Sequence, residues 1–326
     1  MMSSDAPDLT VITPVLNGAA HIEACLDSTL RLARAGLRVE HIVVDGGSTD
    51  ATLQRLAARP ELHILVRPGE GAHDSCNTAA RAARGGVIAL LMADDTWTDS
   101  AGAAFAEAIG APGWDVALFP AELHDGGEVR ILPSPNRLWG ILRRYPGLNS
   151  ALIAAPLVKM IGFNTSFPAV HDRLFMVEAL ACANAVWLGQ KPVARINVHP
   201  GSRTMSPLRD VAKLKAELNG LAGRLLGGGH VGIARSVFAL WCVHTALSLA
   251  GEGVLANLRG WGLAGRGTLG KPVMPDFWGL TFAMRGACEM TLGADALFEA
   301  EQGHLRRCRA LGLATPEQLS DLMSTC

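Results

Sequence analysis

Two adjacent carboxylates, Asp94 and Asp95, follow the apolar run Val87–Leu91 with only Met92 and Ala93 between. Side by side at the end of a buried-looking strand, they are costly unless solvated, hydrogen-bonded or neutralised by a cation. A hard ion, Mg²⁺ or Mn²⁺, suits the place, because it takes carboxylate oxygens together with the phosphate oxygens of a substrate. The competing reading is a loop start in which Asp95 caps the next helix. A further acid, Asp45, opens Asp45-Gly46-Gly47-Ser48-Thr49-Asp50. Its carboxylate can accept from a ribose hydroxyl or a base N–H while the glycines let the backbone turn sharply. The same residues also make an ordinary strand-to-helix turn. Glu70 is read as facing a sugar and Asp74 as equally suited to holding a loop. His21, His41 and His63 lie in or beside helical or strand patterns and are assigned no site role.

The elements that must position these groups alternate from the start. Leu9–Thr13 is a β-branched run that Pro14 is expected to end, and Asn17 follows it. Residues His21–Leu37 carry Ile22, Leu26, Leu30 and Ala33 at helical spacing. Glu40–Val44 is a second strand, after which Ser48 or Thr49 is expected to cap a helix through Ala58. Leu62–Val66, a helix over Ala72–Arg84 and the apolar strand Val87–Met92 complete the alternation. This order implies a mainly parallel sheet covered by helices, an α/β (Rossmann-like) class. In such sheets ligands sit beyond the carboxyl ends of the strands, which is where Asn17, Asp45 and Asp94-Asp95 fall. Strands are expected at Asp115–Phe119, Ser150–Ile153 and Val193–Val198, and a helix at Asp172–Ala183. From Pro207 the chain reads as helix, so we divide it into 1–205 and a helical C-terminal region, 206–326.

Bulk properties exclude several classes. Hydrophobic residues make up 49% of the 326 and charged ones 18%, enough for a sizeable core. The net charge is -1 with no long basic block, so nucleic acid is not an expected partner. Seven cysteines, odd in number and without a CxxC pair, read as reduced thiols in the cytoplasm. The polar start Met1-Met2-Ser3-Ser4-Asp5 is not that of a secretory signal. Val231–Ala250 approaches the ~20 residues that span a bilayer, but Arg235 and His244 interrupt it. It is read as buried or interfacial, with peripheral contact at the inner face of the plasma membrane as the expectation. A Rossmann dehydrogenase is disfavoured because no GxGxxG follows the first strand.

Six segments in order resemble the inverting family 2 glycosyltransferases of the GT-A fold, of the bacterial polysaccharide and envelope type. They are Thr13-Pro14-Val15-Leu16-Asn17-Gly18; Val43-Val44-Asp45-Gly46-Gly47-Ser48-Thr49-Asp50; Glu70-Gly71-Ala72-His73-Asp74-Ser75-Cys76-Asn77; Leu90-Leu91-Met92-Ala93-Asp94-Asp95; His171-Asp172-Arg173-Leu174-Phe175; and His199-Pro200-Gly201-Ser202-Arg203-Thr204. The match departs at Met92, where that family has the first acid of its metal motif, at His171, where Glu is common, and at His73, where an aromatic stands.

The resemblance implies a GT-A-like sheet and a sugar donor linked to a nucleoside diphosphate, UDP first among the candidates. Thr13, Pro14, Val15, Asn17 and Asp45 would surround the nucleoside, with Glu70 toward the sugar and Asn77 also binding the donor. Asp94, with Asp95 beside it, would hold Mg²⁺ or Mn²⁺ on the diphosphate, and His199 and Arg203 would touch that diphosphate. Asp172 would be the base for an acceptor hydroxyl on a glycan or lipid-linked acceptor, a role that coexists with capping its helix. The alternatives are a catalytically impaired binding protein of the same fold and a nucleotidyltransferase. Against the latter, Pro14–Ala20 lacks a Gly-rich loop with a basic residue.

Overall fold

The computed structural model describes residues 6–134, 147–165, 171–183 and 185–199, all within the compact unit Met1–Ser202. The expected boundary near 205, Arg203, Val231–Ala250 and the whole of 206–326 lie outside the described residues.

The first half alternates strictly: β1 (Leu9–Val15), α1 (Ile22–Ala33), β2 (Val39–Asp45), α2 (Thr52–Ala57), β3 (His63–Val66), α3 (Ala72–Ala82) and β4 (Val87–Leu90). Then follow β5 (Thr96–Trp97), α4 (Ala101–Gly110), β6 (Val116–Leu118), the hairpin β7 (Ala121–Asp125) and β8 (Glu128–Leu132), and β9 (Ala151–Ala154). The described chain ends with α5 (Ala155–Ile161), α6 (His171–Cys182), β10 (Val186–Leu188) and β11 (Ala194–Val198). A seven-stranded sheet runs β10-β6-β9-β4-β1-β2-β3, and a four-stranded one β5-β11-β7-β8. The large sheet is parallel except at β9, which is antiparallel to both β4 and β6.

Alternate residues of the large sheet feed two cores. Ile12, Ile42, Val44, Ile88 and Leu90 pack with Cys76 and Ala79 of α3, Val158 of α5 and Phe175 and Met176 of α6. Leu9, Val11, Val43 and Ala89 pack with Ile22 and Leu26 of α1 and Phe105 of α4. Strands buried on both faces read as unbroken apolar runs, and each large side chain so buried contributes roughly 1.5–3 kcal/mol.

Pro14 does not end β1, which continues to Val15. The reason lies in the ladder. Ile12 O accepts from Leu91 N (3.0 Å) on the β4 side and Val15 O from Gly46 N (2.9 Å) on the β2 side. The alternation therefore turns the Pro14 nitrogen toward the β4 side, beyond the last β1–β4 pair, Ile12 with Leu90. The imide has no N–H to offer the next rung, so pairing with β4 stops at Ile12 while pairing with β2 carries the strand on to Val15.

Candidate functional site

The loops after β1 and β2 are fastened to each other by side chains. Asn17 N donates to Ser48 Oγ (2.8 Å), Gly18 N to Thr52 Oγ1 (2.9 Å) and Ala19 N to Asp50 Oδ2 (3.1 Å). In return Thr49 N donates to Asn17 Oδ1 (2.8 Å). Asn17 adopts the left-handed conformation (φ 52°), which its short amide tolerates better than most side chains. Ser48 and Thr49 thus serve the neighbouring loop rather than capping α2. That helix starts at Thr52, whose N–H donates to Asp50 Oδ1 (2.9 Å). Within Thr13–Asn17, the residues Thr13, Pro14 and Val15 are buried in the strand, and only Leu16 and Asn17 are exposed. The Thr13 hydroxyl pairs with His41 Nε2 (2.9 Å).

Asp45 closes β2 and is wholly buried. Its Oδ1 accepts from Gly47 N (2.9 Å) and Ser48 N (2.7 Å), which shapes the turn. Gly47 has φ 97°, and a Cβ there would stand 3.1 Å from Pro68 Cα, so glycine is required. The other oxygen, Oδ2, is buried with no hydrogen-bond partner among the described residues. A buried acceptor left unsatisfied costs about 1–3 kcal/mol, more when charged, so Asp45 presents a demand for an N–H or O–H donor at the strand end.

Asp94 and Asp95 separate in role. Asp95 is buried: its Oδ1 accepts from Asn197 N (2.8 Å) and its Oδ2 from the Asn149 amide. Burial first, and then the charge of Asp94, push its pKa up to about 8 against the smaller lowering by those two donors. Expected as a second metal ligand, Asp95 has both oxygens taken by the protein and ties β11 to the end of β4. Asp94 is more open, its side chain 28% exposed. Its main-chain oxygen accepts from Asn197 Nδ2 (2.7 Å), and its Oδ2 accepts from His199 Nε2 (3.2 Å). Among the described residues no hydrogen bond reaches its Oδ1. Met92 packs against the first core cluster and donates its N–H to Asn149 Oδ1 (3.3 Å).

No group of three or more His, Cys, Asp or Glu among the described residues could hold a metal unaided. Among the described residues Asp94 is the open carboxylate at this place, and phosphate oxygens and water would complete the ligand set. That donor set fits a hard ion such as Mg²⁺ or Mn²⁺. His199 rests on a partner that the sequence passed over: the ring of His21 stacks on it, with centroids 4.8 Å apart and planes at 27°.

A second wall forms around α3 and α6. Asn77 clamps the backbone of Phe163, donating from Nδ2 to its O (2.9 Å) and accepting from its N at Oδ1 (2.7 Å). Phe163 in turn stacks on Phe175 of α6 (centroids 4.2 Å). His73 of α3 packs its ring against His171 at the start of α6. Asp172, in the first turn, is therefore carried on a helix end tied to α3 at two points. Asn77, expected to bind the donor, uses both ends of its amide in this clamp. Glu70 accepts weakly from Thr78 Oγ1 (3.3 Å). No helix among the described residues is long and apolar enough to cross a membrane.

Residues 10–182 match Glycosyl transferase family 2. The chain is 37% identical over 98 residues to a PGL/p-HBAD biosynthesis glycosyltransferase of Mycobacterium tuberculosis, covering 28% of this chain and 37% of that protein. It is 38% identical over 93 residues to the succinoglycan biosynthesis protein ExoO of Rhizobium meliloti, covering 28% of this chain and 26% of that one. The chain thus spans between about a quarter and little more than a third of the length of these two curated relatives. Among solved structures, S. aureus TarS 1-349 in complex with UDP-GlcNAc aligns with TM-score 0.57 at 17% identity, over 93% of this chain and 89% of that chain. The mannosyltransferase PcManGT from Pyrobaculum calidifontis, in complex with GDP-Man and Mn²⁺, aligns with TM-score 0.51 at 18% identity, over 94% of this chain and 86% of that chain. At such identities the likeness is one of fold, and the fold is GT-A.

Proposed function

We propose that this chain, which belongs to the family 2 glycosyl transferases, transfers a sugar from a nucleoside-diphosphate sugar to an acceptor hydroxyl in glycan synthesis, with inversion. The observation that carries the reading is the pairing of an orphaned acceptor with an open carboxylate along one sheet edge. Asp45 Oδ2, buried at the end of β2 and unpartnered among the described residues, calls for a donor such as a base N–H or ribose hydroxyl. Asp94, open beyond the end of β4, stands where a diphosphate would follow. UDP as the carrier draws on the UDP-GlcNAc held by the fold neighbour.

Asp94 is the residue that would hold Mg²⁺ or Mn²⁺, which when bound offsets charge developing on the departing diphosphate. Asp172, on its anchored helix end, takes the proton from the acceptor hydroxyl, a role typically worth about 10²–10⁴-fold in rate. The zipped β1 and β2 loops bind the nucleoside through Asp45 and the exposed rim at Leu16 and Asn17. Thr13, Pro14 and Val15 contribute by backbone or by supporting that rim. The acceptor is a glycan or lipid-linked hydroxyl, taken up at the inner face of the membrane, and His199 and Arg203 touch the diphosphate. Met92, drawn into the core where the family has an acid, favours one second reading: a GT-A-fold protein that binds donor without turning it over.

The test is sugar-nucleotide hydrolysis and transfer across UDP- and GDP-sugars, with Mn²⁺ and with chelator, for wild type and Asp94→Ala. Metal-dependent turnover that disappears in Asp94→Ala, with the product anomer inverted by NMR, is the expected result. Donor binding by the wild type with no turnover on any acceptor selects the binding-protein reading.

A further inference from the structure

His21 stands on rigid ground at the site. It precedes α1, its N–H donates to Gly18 O (3.0 Å), and the Asn17–Ala19 turn beneath it is fastened to the loop after β2. His199 follows directly on the last residue of β11. Its ring lies against the His21 ring while its Nε2 N–H reaches Asp94 Oδ2. A stack at 4.8 Å and 27° is within the offset-stacked range for ring pairs. The row His21–His199–Asp94 therefore runs from a fixed loop to the open carboxylate at the end of β4. With Nε2 protonated toward Asp94, His199 is an orienter of that carboxylate and not itself a ligand through that nitrogen.

We propose that His21 is a positioning residue for the donor site: its ring is the platform that holds His199 against Asp94, and so keeps the Asp94 carboxylate in one rotamer for the cation. The functional half of this inference rests on the metal reading of Asp94; the stack itself does not. Groups that orient a metal-binding carboxylate typically govern metal affinity by 10–100-fold. A flat apolar ring in place of His21 would keep the platform, whereas a ligand or proton-transfer role would need its nitrogen.

The experiment uses the full chain labelled with ¹³C and ¹⁵N at histidine, the His199 signals being assigned by their loss in His199→Gln. Wild type, His21→Ala and His21→Phe are compared by ring-proton spectra, by electron paramagnetic resonance of free Mn²⁺ titrated with and without UDP, and by melting temperature. The His199 signals should show a protonated Nε2 in wild type and move in His21→Ala. Mn²⁺ affinity in the presence of UDP should fall about tenfold in His21→Ala and return to within about twofold of wild type in His21→Phe. Melting temperatures should agree, since His21 is exposed. Unmoved His199 signals in His21→Ala overturn the stack. Equal weakening in His21→Ala and His21→Phe overturns the platform in favour of a nitrogen ligand. A wild type that binds no Mn²⁺ removes the metal reading of Asp94 and the functional half with it, while the His199 spectra still decide the stack.

Discussion

Asn77→Ala separates a donor-binding residue from a structural clamp more cleanly than any other change in the site. The side chain makes two hydrogen bonds, both to the backbone of Phe163. Each is worth about 0.5–1.5 kcal/mol net, and the Phe163 N–H and C=O are left without partners in a part-buried place, so the expected loss is roughly 2–3 kcal/mol. For a unit of about 200 residues each kcal/mol lowers the melting temperature by roughly 2–4 °C, giving a fall of about 4–12 °C. Asn77→Asp keeps the acceptor for Phe163 N but cannot donate to its O, and should lie about halfway. Because Phe163 stacks on Phe175, the start of α6 loosens with the clamp. Transfer should therefore drop while affinity for the free nucleotide stays within about twofold of wild type. Urea unfolding followed by tryptophan fluorescence, together with calorimetry of UDP binding, reads both quantities. An Asn77→Ala protein with unchanged stability and weakened donor binding would refute this reasoning and return Asn77 to the donor.

Asp45→Ala should weaken donor and free nucleoside diphosphate alike by calorimetry; a loss confined to the sugar nucleotide would move Asp45 away from the nucleoside. Asp172→Asn should leave donor affinity and melting temperature nearly unchanged while transfer falls by about 10²–10⁴-fold; normal transfer places the base elsewhere, and unfolding makes Asp172 a cap. His41 is buried, and desolvation lowers its pKa from 6.5 to about 3. A base depressed on folding contributes full stability above its unfolded pKa and loses it as pH falls toward the folded value. Unfolding free energy should thus drop by about 2 kcal/mol between pH 7 and pH 5 on account of this group, and a His41→Gln protein should lack that part of the slope.

The parallel half of the fold was legible because its strands are buried on both faces and separated by helices with apolar residues at helical spacing. Legibility failed where a local turn signal went unread and where partners are distant in sequence. The hairpin β7–β8 turns on Gly126 and Gly127, both with positive φ, a signal that Gly-Gly between two runs could have given. Helices α4 and α5, rich in alanine or short, gave weaker periodicity. In the site, types and positions of the acids were readable, but not their division of labour. Asp94 and Asp95 are neighbours in sequence, yet only the arrival of Asn149 and Asn197 makes one of them internal. Asn17 and Asn77 look like ligand amides in a motif, and nothing in the sequence signals that each also holds the backbone of a distant segment. His21 carried no local signal at all, because what distinguishes it is the ring of His199.

The bonds joining Asn17–Ala19 to Ser48–Thr52 bear on how a nucleotide is taken up. Holding one residue's backbone in a single conformation costs about 1–2 kcal/mol of entropy. Here that ordering is completed during folding, by contacts that use none of the incoming molecule's groups. On the proposed reading, the nucleoside half of a donor would meet a finished cradle, and little of its binding energy would be diverted into arranging these two loops. Association at this end would then be governed by encounter and desolvation.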